Sequence, residues 1–150
     1  MDKDKYSPLK LENQLCFPLY AASREVIRLY RPFLDNLELT YTQYIAMMVF
    51  WENKTMNVKE LGQKLYLDSG TLTPVLKSLE SKGYVTRERS KEDERVLVVT
   101  LTEKGEALKE QALSIPSGVG GCIRLDSNEA ATLYKLLYKL LQNIDGSEEE

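Results

Sequence analysis

The chain has 150 residues, 43% hydrophobic and 29% charged, with 20 Lys+Arg against 23 Asp+Glu, no histidine and two cysteines. Without histidine there is no Ser–His or Cys–His nucleophile pair and no histidine general base, and two cysteines alone cannot close a structural zinc site. Neither metal nor cofactor is expected, and the net charge of −3 counts against a nucleic-acid partner, which usually selects a basic protein.

The opening residues Met1-Asp2-Lys3-Asp4-Lys5 are polar, unlike a secretory signal, and the longest apolar run, Tyr44 to Trp51, is too short to span a bilayer. These features predict a cytoplasmic protein with reduced thiols and no membrane partner. Leu15, Leu19, Ala22, Val26, Leu29 and Phe33 then recur at spacings of four and three, the seam of a long helix that packs on another helix. Pro18 either kinks this helix or lies in its first turn, with the regular part starting near Phe17.

Thr40-Tyr41-Thr42-Gln43 has capping-box spacing and opens a helix through Trp51. Asn57-Val58-Lys59-Glu60 opens a shorter one bearing Leu61 and Leu65. Asp68 or Ser69 caps a third, with Leu72, Val75, Leu76 and Leu79 on one face and Gly83 as its stop. From Tyr84 to Leu101 the pattern turns to a β-hairpin, Tyr84 to Glu88 and Val96 to Val99 flanking a charged turn. Thr102 caps a helix that ends before Pro116. Pro116-Ser117-Gly118-Val119-Gly120-Gly121 reads as a flexible break. Leu133, Leu136, Leu137, Leu140, Leu141 and Ile144 form a last helical stripe, before an acidic tail from Gly146.

This order predicts a mainly α fold with a small β-wing, a winged helix-turn-helix over 40–102, dimerised through helices at 10–36 and 103–144; a generic α+β bundle with an incidental hairpin is the alternative. Charge counted by region supports the first. Residues 1–53 carry −1 and residues 96–150 carry −4, but residues 54–95 carry nine Lys/Arg against seven Asp/Glu. The third helix presents Ser69, Gly70, Thr71, Thr73, Pro74 and Lys77 opposite its apolar stripe, groups that suit phosphates and base edges or an ordinary solvated cap. Arg87, Arg89, Lys91 and Arg95 crowd the hairpin, where arginine can probe a narrow minor groove or belong to a solvated turn. Asp93, two residues from Arg95, suits holding that guanidinium or shaping the turn.

Asp93-Glu94-Arg95 followed by Thr100-Leu101-Thr102-Glu103-Lys104-Gly105 resembles the wing signature of the MarR family of dimeric bacterial transcription regulators. Leu11 to Phe17 with Tyr20, and Leu65 to Pro74, resemble its organic-hydroperoxide-sensing (OhrR-like) branch. Pro18 departs from that branch, which keeps a plain helix former there. The resemblance implies a homodimeric repressor on a pseudo-palindromic double-stranded DNA operator, with Cys16 as the oxidant sensor and Tyr20, Tyr30 and Tyr41 supporting its thiolate. It also implies, for the two-cysteine type, that Cys122 of the other subunit resolves oxidised Cys16 as a disulfide.

The residues themselves allow this chemistry. Cys16 and Tyr20 are i and i+4 on one helical face, and a helix starting at Pro18 would put Cys16 at its N-terminus, where dipole and free N–H groups favour thiolate. A sulfenic acid formed there condenses readily with a second thiol, and Cys122 is the one other thiol. Alternatively Cys16 is a small buried hydrophobe and Cys122 an incidental loop residue. Three other functions remain: a MarR-type regulator of phenolic or drug-like ligands, a non-DNA dimerisation module, and a thiol peroxidase, which is disfavoured because no T-x-x-C arrangement precedes Cys16. No enzyme is expected.

Overall fold

The computed structural model describes residues 4–146, so the acidic tail from Ser147 on lies outside the described residues. Two compact units divide the chain, one through Pro116 and one from Ser117 on.

In the first unit, α1 runs Cys16–Asp35, α2 Tyr41–Asn53, α3 Val58–Leu65 and α4 Ser69–Ser81, followed by α5, Glu103–Ala112. Each of the four shorter helices starts on a side-chain cap that satisfies an otherwise unpaired amide. The Thr40 and Gln43 side chains cap α2 reciprocally, as a full capping box. Asn57 accepts from Glu60 N, Asp68 from Thr71 N and Thr102 from Gly105 N. Of the two candidates to cap α4, Asp68 is the one used. Gly83 ends α4 at φ +82°, a left-handed conformation that glycine adopts freely. Pro18 sits in the first turn of α1, where its missing N–H costs nothing, so the helix begins at Cys16 instead of kinking.

Strands β2 (Val85–Arg89) and β3 (Leu97–Leu101) form the expected hairpin, with Val85 opposite Leu101 and Arg89 opposite Leu97. A third strand, β1 (Thr55–Asn57), pairs antiparallel with β3 on its other edge, giving the order β1-β3-β2. The sequence pattern does not announce β1, because three residues between two helices carry no measurable alternation. Its pairing is visible in space, as a Thr55–Thr100 hydroxyl pair at 3.1 Å across the ladder.

Phe50, Met47, Leu61, Leu72, Leu76, Leu79, Val85 and Val99 are fully buried and form the core of this unit. The α5 helix closes it: Gly105, Leu108 and Ala112 are buried, and the Gly105 carbonyl accepts from Trp51 Nε1 of α2 at 2.9 Å. By contrast, the first half of the α1 stripe expected to pack on another helix is open, with Leu15 85% exposed and Leu19 and Ala22 also exposed, while Val26, Leu29 and Phe33 are half-buried.

The glycine-rich segment is not a flexible break. Ile115–Ile123 forms helix α6. Pro116 falls in its first turn, and Ile115 and Val119, one helical turn apart, are both buried. Burial at i and i+4 outweighs the roughly 1 kcal/mol by which each glycine disfavours helix. In the second unit, α7 (Ser127–Asp145) starts on a full Asp126–Glu129 capping box, yet none of its residues is buried. Leu133, Leu136, Leu140 and Ile144 all face solvent in the single chain. Among the described residues no helix is long and apolar enough to cross a membrane.

Candidate functional site

The α4 helix is held by its apolar face, through buried Leu72, Val75, Leu76 and Leu79, so its other side must face outward. Ser69, Gly70, Thr71, Thr73, Pro74 and Lys77 are all exposed there. The Thr73 hydroxyl donates to the Ser69 carbonyl at 2.7 Å, which leaves its two lone pairs outward. At the start of the helix, the Thr71 amide hydrogen bond holds the Asp68 carboxyl below the usual carboxylate range.

The cations of the hairpin divide into two groups. Alternation along β2 puts Arg87 on the same side as buried Val85. Its guanidinium and amide both donate to Glu80 of α4, at 3.1 and 3.0 Å, and the Glu80 carboxyl is held below its ordinary range by that side-chain bond. Arg87, expected as a DNA contact, is thus a tie between α4 and the wing. Glu80 does not stand out in the sequence, since nothing at its spacing announces a partner seven residues on.

Arg89 and Lys91 are exposed, and Arg95 is 91% exposed at the wing's end. Asp93 both holds and shapes here. It accepts from Arg95 Nε at 3.1 Å, from Nη2 at 3.2 Å and from the backbone amide at 3.0 Å. The guanidinium bonds and then the amide bond lower its carboxyl below the usual range. A planar, doubly held guanidinium at an exposed tip has less rotamer freedom left to lose on binding an anion.

Both cysteines are free and exposed. Cys16, exposed and not a buried hydrophobe, is the first residue of α1. Cys122 lies near the end of α6, on helix and not in a loop. The tyrosines split. Tyr20 accepts from Arg24 Nη1 at 3.0 Å and stacks under that guanidinium. Tyr30 and Tyr41 meet where α1 packs on α2, ring centroids 4.9 Å apart, and Tyr44, not among the residues expected from sequence, joins them at 5.8 Å from Tyr30. Spacing was the available signal, because Tyr44 follows Tyr41 by three residues on one helical face. Burial, and then the neighbouring tyrosines, raise the Tyr41 and Tyr44 hydroxyls above the ordinary phenol range, which keeps them neutral donors. Fourteen residues separate Cys16 from Tyr30 on α1, about 21 Å along the axis, so Tyr30 cannot reach the sulfur of its own chain.

A helix-turn-helix of α3 and α4, backed by α2 and α5 and flanked by a three-stranded wing, defines a winged-helix transcriptional regulator. The family model for the transcriptional regulator SarA/Rot matches residues 28–112, and the chain belongs to this MarR/SarA-type family. It is 49% identical, over 95% of its length and 97% of the relative's, to the organic hydroperoxide resistance transcriptional regulator of Bacillus subtilis. Among solved structures it resembles reduced AbfR bound to DNA, with TM-score 0.78 and 33% identity over 92% of this chain and 94% of that one; AbfR is a Staphylococcus epidermidis protein. AbfR has also been solved overoxidized on DNA and in a disulfide form, the latter at TM-score 0.65 and 34% identity over 93% and 96% of the two chains. A mutant MarR of E. coli complexed with operator DNA matches at TM-score 0.78 and 27% identity, over 92% and 99%.

Proposed function

We propose that this chain is a redox-sensing, DNA-binding repressor that works as a homodimer in the cytoplasm and releases its operator when Cys16 is oxidised by an organic hydroperoxide. The observation that carries this reading is an exposed thiol on the first residue of a 20-residue helix, beside an apolar stripe whose first half, Leu15, Leu19 and Ala22, is exposed. A second copy covering the α1 and α7 stripes removes that apolar surface from water and sets two reading heads on half-sites about 34–36 Å apart. Ser69, Gly70, Thr71, Thr73, Pro74 and Lys77 then meet the major groove, and Arg89, Lys91 and Arg95 the adjacent phosphates or minor groove, with Asp93 orienting Arg95 and Arg87 bracing the wing.

Cys16 stands in the first turn of α1 with its thiol exposed, open to an approaching peroxide. The thiolate attacks one peroxide oxygen, the O–O bond breaks, and the alkoxide leaves as the alcohol after taking a proton. The resulting sulfenic acid condenses with the thiol of Cys122 of the partner subunit, releasing water and forming an intersubunit disulfide. Solved AbfR is on DNA both reduced and overoxidized, which supports the disulfide, and not the oxygenated sulfur, as the releasing state. The length of α1 supports assistance from Tyr20 of the same chain, and from Tyr30 and Tyr41 only across the subunit boundary, as donors to Cys16 of the partner subunit.

Such a device consumes about one oxidant per Cys16 and is not an enzyme. The test is an operator titration of wild type, Cys16→Ser and Cys122→Ser, reduced and after cumene hydroperoxide. Wild type should lose affinity on oxidation and Cys16→Ser should not. Unchanged wild-type affinity after the intersubunit disulfide has formed overturns the reading.

A further inference from the structure

Among the described residues Gln43 is the one buried polar side chain, 7% exposed, and it sits on the first turn of α2 between Tyr41 and Tyr44. Its bonds run in two directions. The backbone amide donates to Thr40 Oγ1 at 3.3 Å, and Oε1 accepts from the Thr40 amide at 3.0 Å, which completes the capping box. That cap makes no use of Nε2. Yet Nε2 donates to Ser78 Oγ at 2.9 Å, and Oε1 takes a second bond from Lys82 Nζ at 3.3 Å. Ser78 lies in the last turns of α4 and Lys82 is its C-cap residue; Lys82 Nζ also donates to the Glu38 carbonyl ahead of α2. Apolar packing alone fixes no direction between two helices. These hydrogen bonds do, because they weaken steeply once bent or stretched.

We propose that Gln43 is the positioning residue that transmits the state of the tyrosine cluster to the recognition helix α4. This rests on the redox reading above. Tyr41, Gln43 and Tyr44 share one helical turn, so the rings that pack on Tyr30 cannot shift without carrying the Gln43 amide. That amide holds α4 near its C-terminal end, while its N-terminal end faces DNA. A small displacement at Gln43 therefore swings the reading end about a pivot in the buried Leu72–Leu79 face. The chain thus joins sensor to reader through one side chain that serves the cap of α2 and the end of α4 together.

The experiment is fluorescence anisotropy on a duplex of about 30 bp, three helical turns, selected from a randomised pool by the reduced wild-type protein. Affinity is measured before and after one equivalent of cumene hydroperoxide for wild type, Gln43→Met, Gln43→Glu and Ser78→Ala, with Cys16 oxidation followed by mass. Wild type should lose about tenfold or more, within the usual range of coupling between sites. Gln43→Met and Ser78→Ala should oxidise at the wild-type rate and bind within about threefold of wild type when reduced, yet lose only about twofold on oxidation. Gln43→Glu keeps an acceptor for the Thr40 amide and Lys82 and accepts from the Ser78 hydroxyl, so it should restore the wild-type ratio. A merely structural residue would lower both affinities together and leave the ratio alone. A full wild-type ratio in Ser78→Ala or Gln43→Met overturns the role of Gln43 and leaves the redox reading standing; should Gln43→Met fail to fold, Ser78→Ala probes the same link from α4. A wild type that keeps its affinity once the disulfide between Cys16 and Cys122 has formed overturns both.

Discussion

Replacing Gly105 by alanine sets two physical effects against each other. Gly105 lies in the first turn of α5, and by helix propensity alone alanine should stabilise by about 1 kcal/mol. The surroundings reverse that sign. A Cβ built on Gly105 would lie 2.3 Å from the Tyr84 carbonyl oxygen and 2.7 Å from Leu101 Cδ1, and the nearer atom is backbone. Restoring a 3.0 Å contact needs a retreat of about 0.7 Å. The helix is not free to make it. Its Gly105 carbonyl accepts from buried Trp51 Nε1 at 2.9 Å, and Thr102 at its cap donates to the Gly83 carbonyl at 2.6 Å. Overpacking of this kind costs about 1–3 kcal/mol, and an indole N–H left unpaired in the core about 1–3 kcal/mol more. Net of the propensity gain, Gly105→Ala should destabilise by roughly 3 kcal/mol. For a chain of this size that lowers Tm by roughly 6–12 °C. Thermal unfolding followed by circular dichroism, at fixed protein concentration, measures it. A Tm within about 2 °C of wild type, or above it, would refute the claim that α5 is seated by close backbone contact.

Arg95→Ala should leave Tm unchanged, because the side chain is exposed, but weaken operator binding by about 1–2 kcal/mol and reduce the salt slope by about one, read from titrations at several salt concentrations. On non-reducing electrophoresis after cumene hydroperoxide, wild type should run as a covalent dimer and Cys122→Ser as a monomer; a covalent dimer in Cys122→Ser would exclude the proposed pairing. Leu136→Glu places a charge on the α7 face that has no buried residue, so light scattering should show monomers while far-UV circular dichroism keeps the native helix content. Asp68, whose folded carboxyl titrates below its unfolded value, stabilises α4 above about pH 4, and that contribution is lost as pH falls through the lowered folded value. Asp68→Asn caps comparably without titrating, so its urea midpoint should fall less between pH 7 and pH 3 than the wild type's.

Features that depend on near neighbours in the chain are legible in the amino-acid sequence. Thr40, Asn57, Asp68 and Thr102 each cap the helix that follows, because a cap needs only an oxygen and an amide two or three residues on. The outward face of α4 follows from its apolar stripe by helical geometry. The Asp93–Arg95 pair, two residues apart, is readable for the same reason. Where sequence patterns mislead, the deciding partner is distant. The strand β1 exists only because β3, more than forty residues on, offers an edge. The α6 helix persists through its glycines because Ile115 and Val119 find burial. Arg87 turns inward to Glu80 because α4 happens to pass beside β2.

The same division holds for the redox machinery. Two thiols, no histidine and a set of nine tyrosines are facts of the sequence, and they exclude chemistry that needs an imidazole. Gly105, part of a readable wing motif, owes its necessity to the Tyr84 carbonyl 2.3 Å from the missing Cβ. Tertiary structure alone decided that Tyr44 joins Tyr30 and Tyr41, and that Gln43 ties their helix to α4. The reason is physical: a cap or a stripe is set by a few bonds of one segment, whereas a contact between segments depends on how every buried face is satisfied at once.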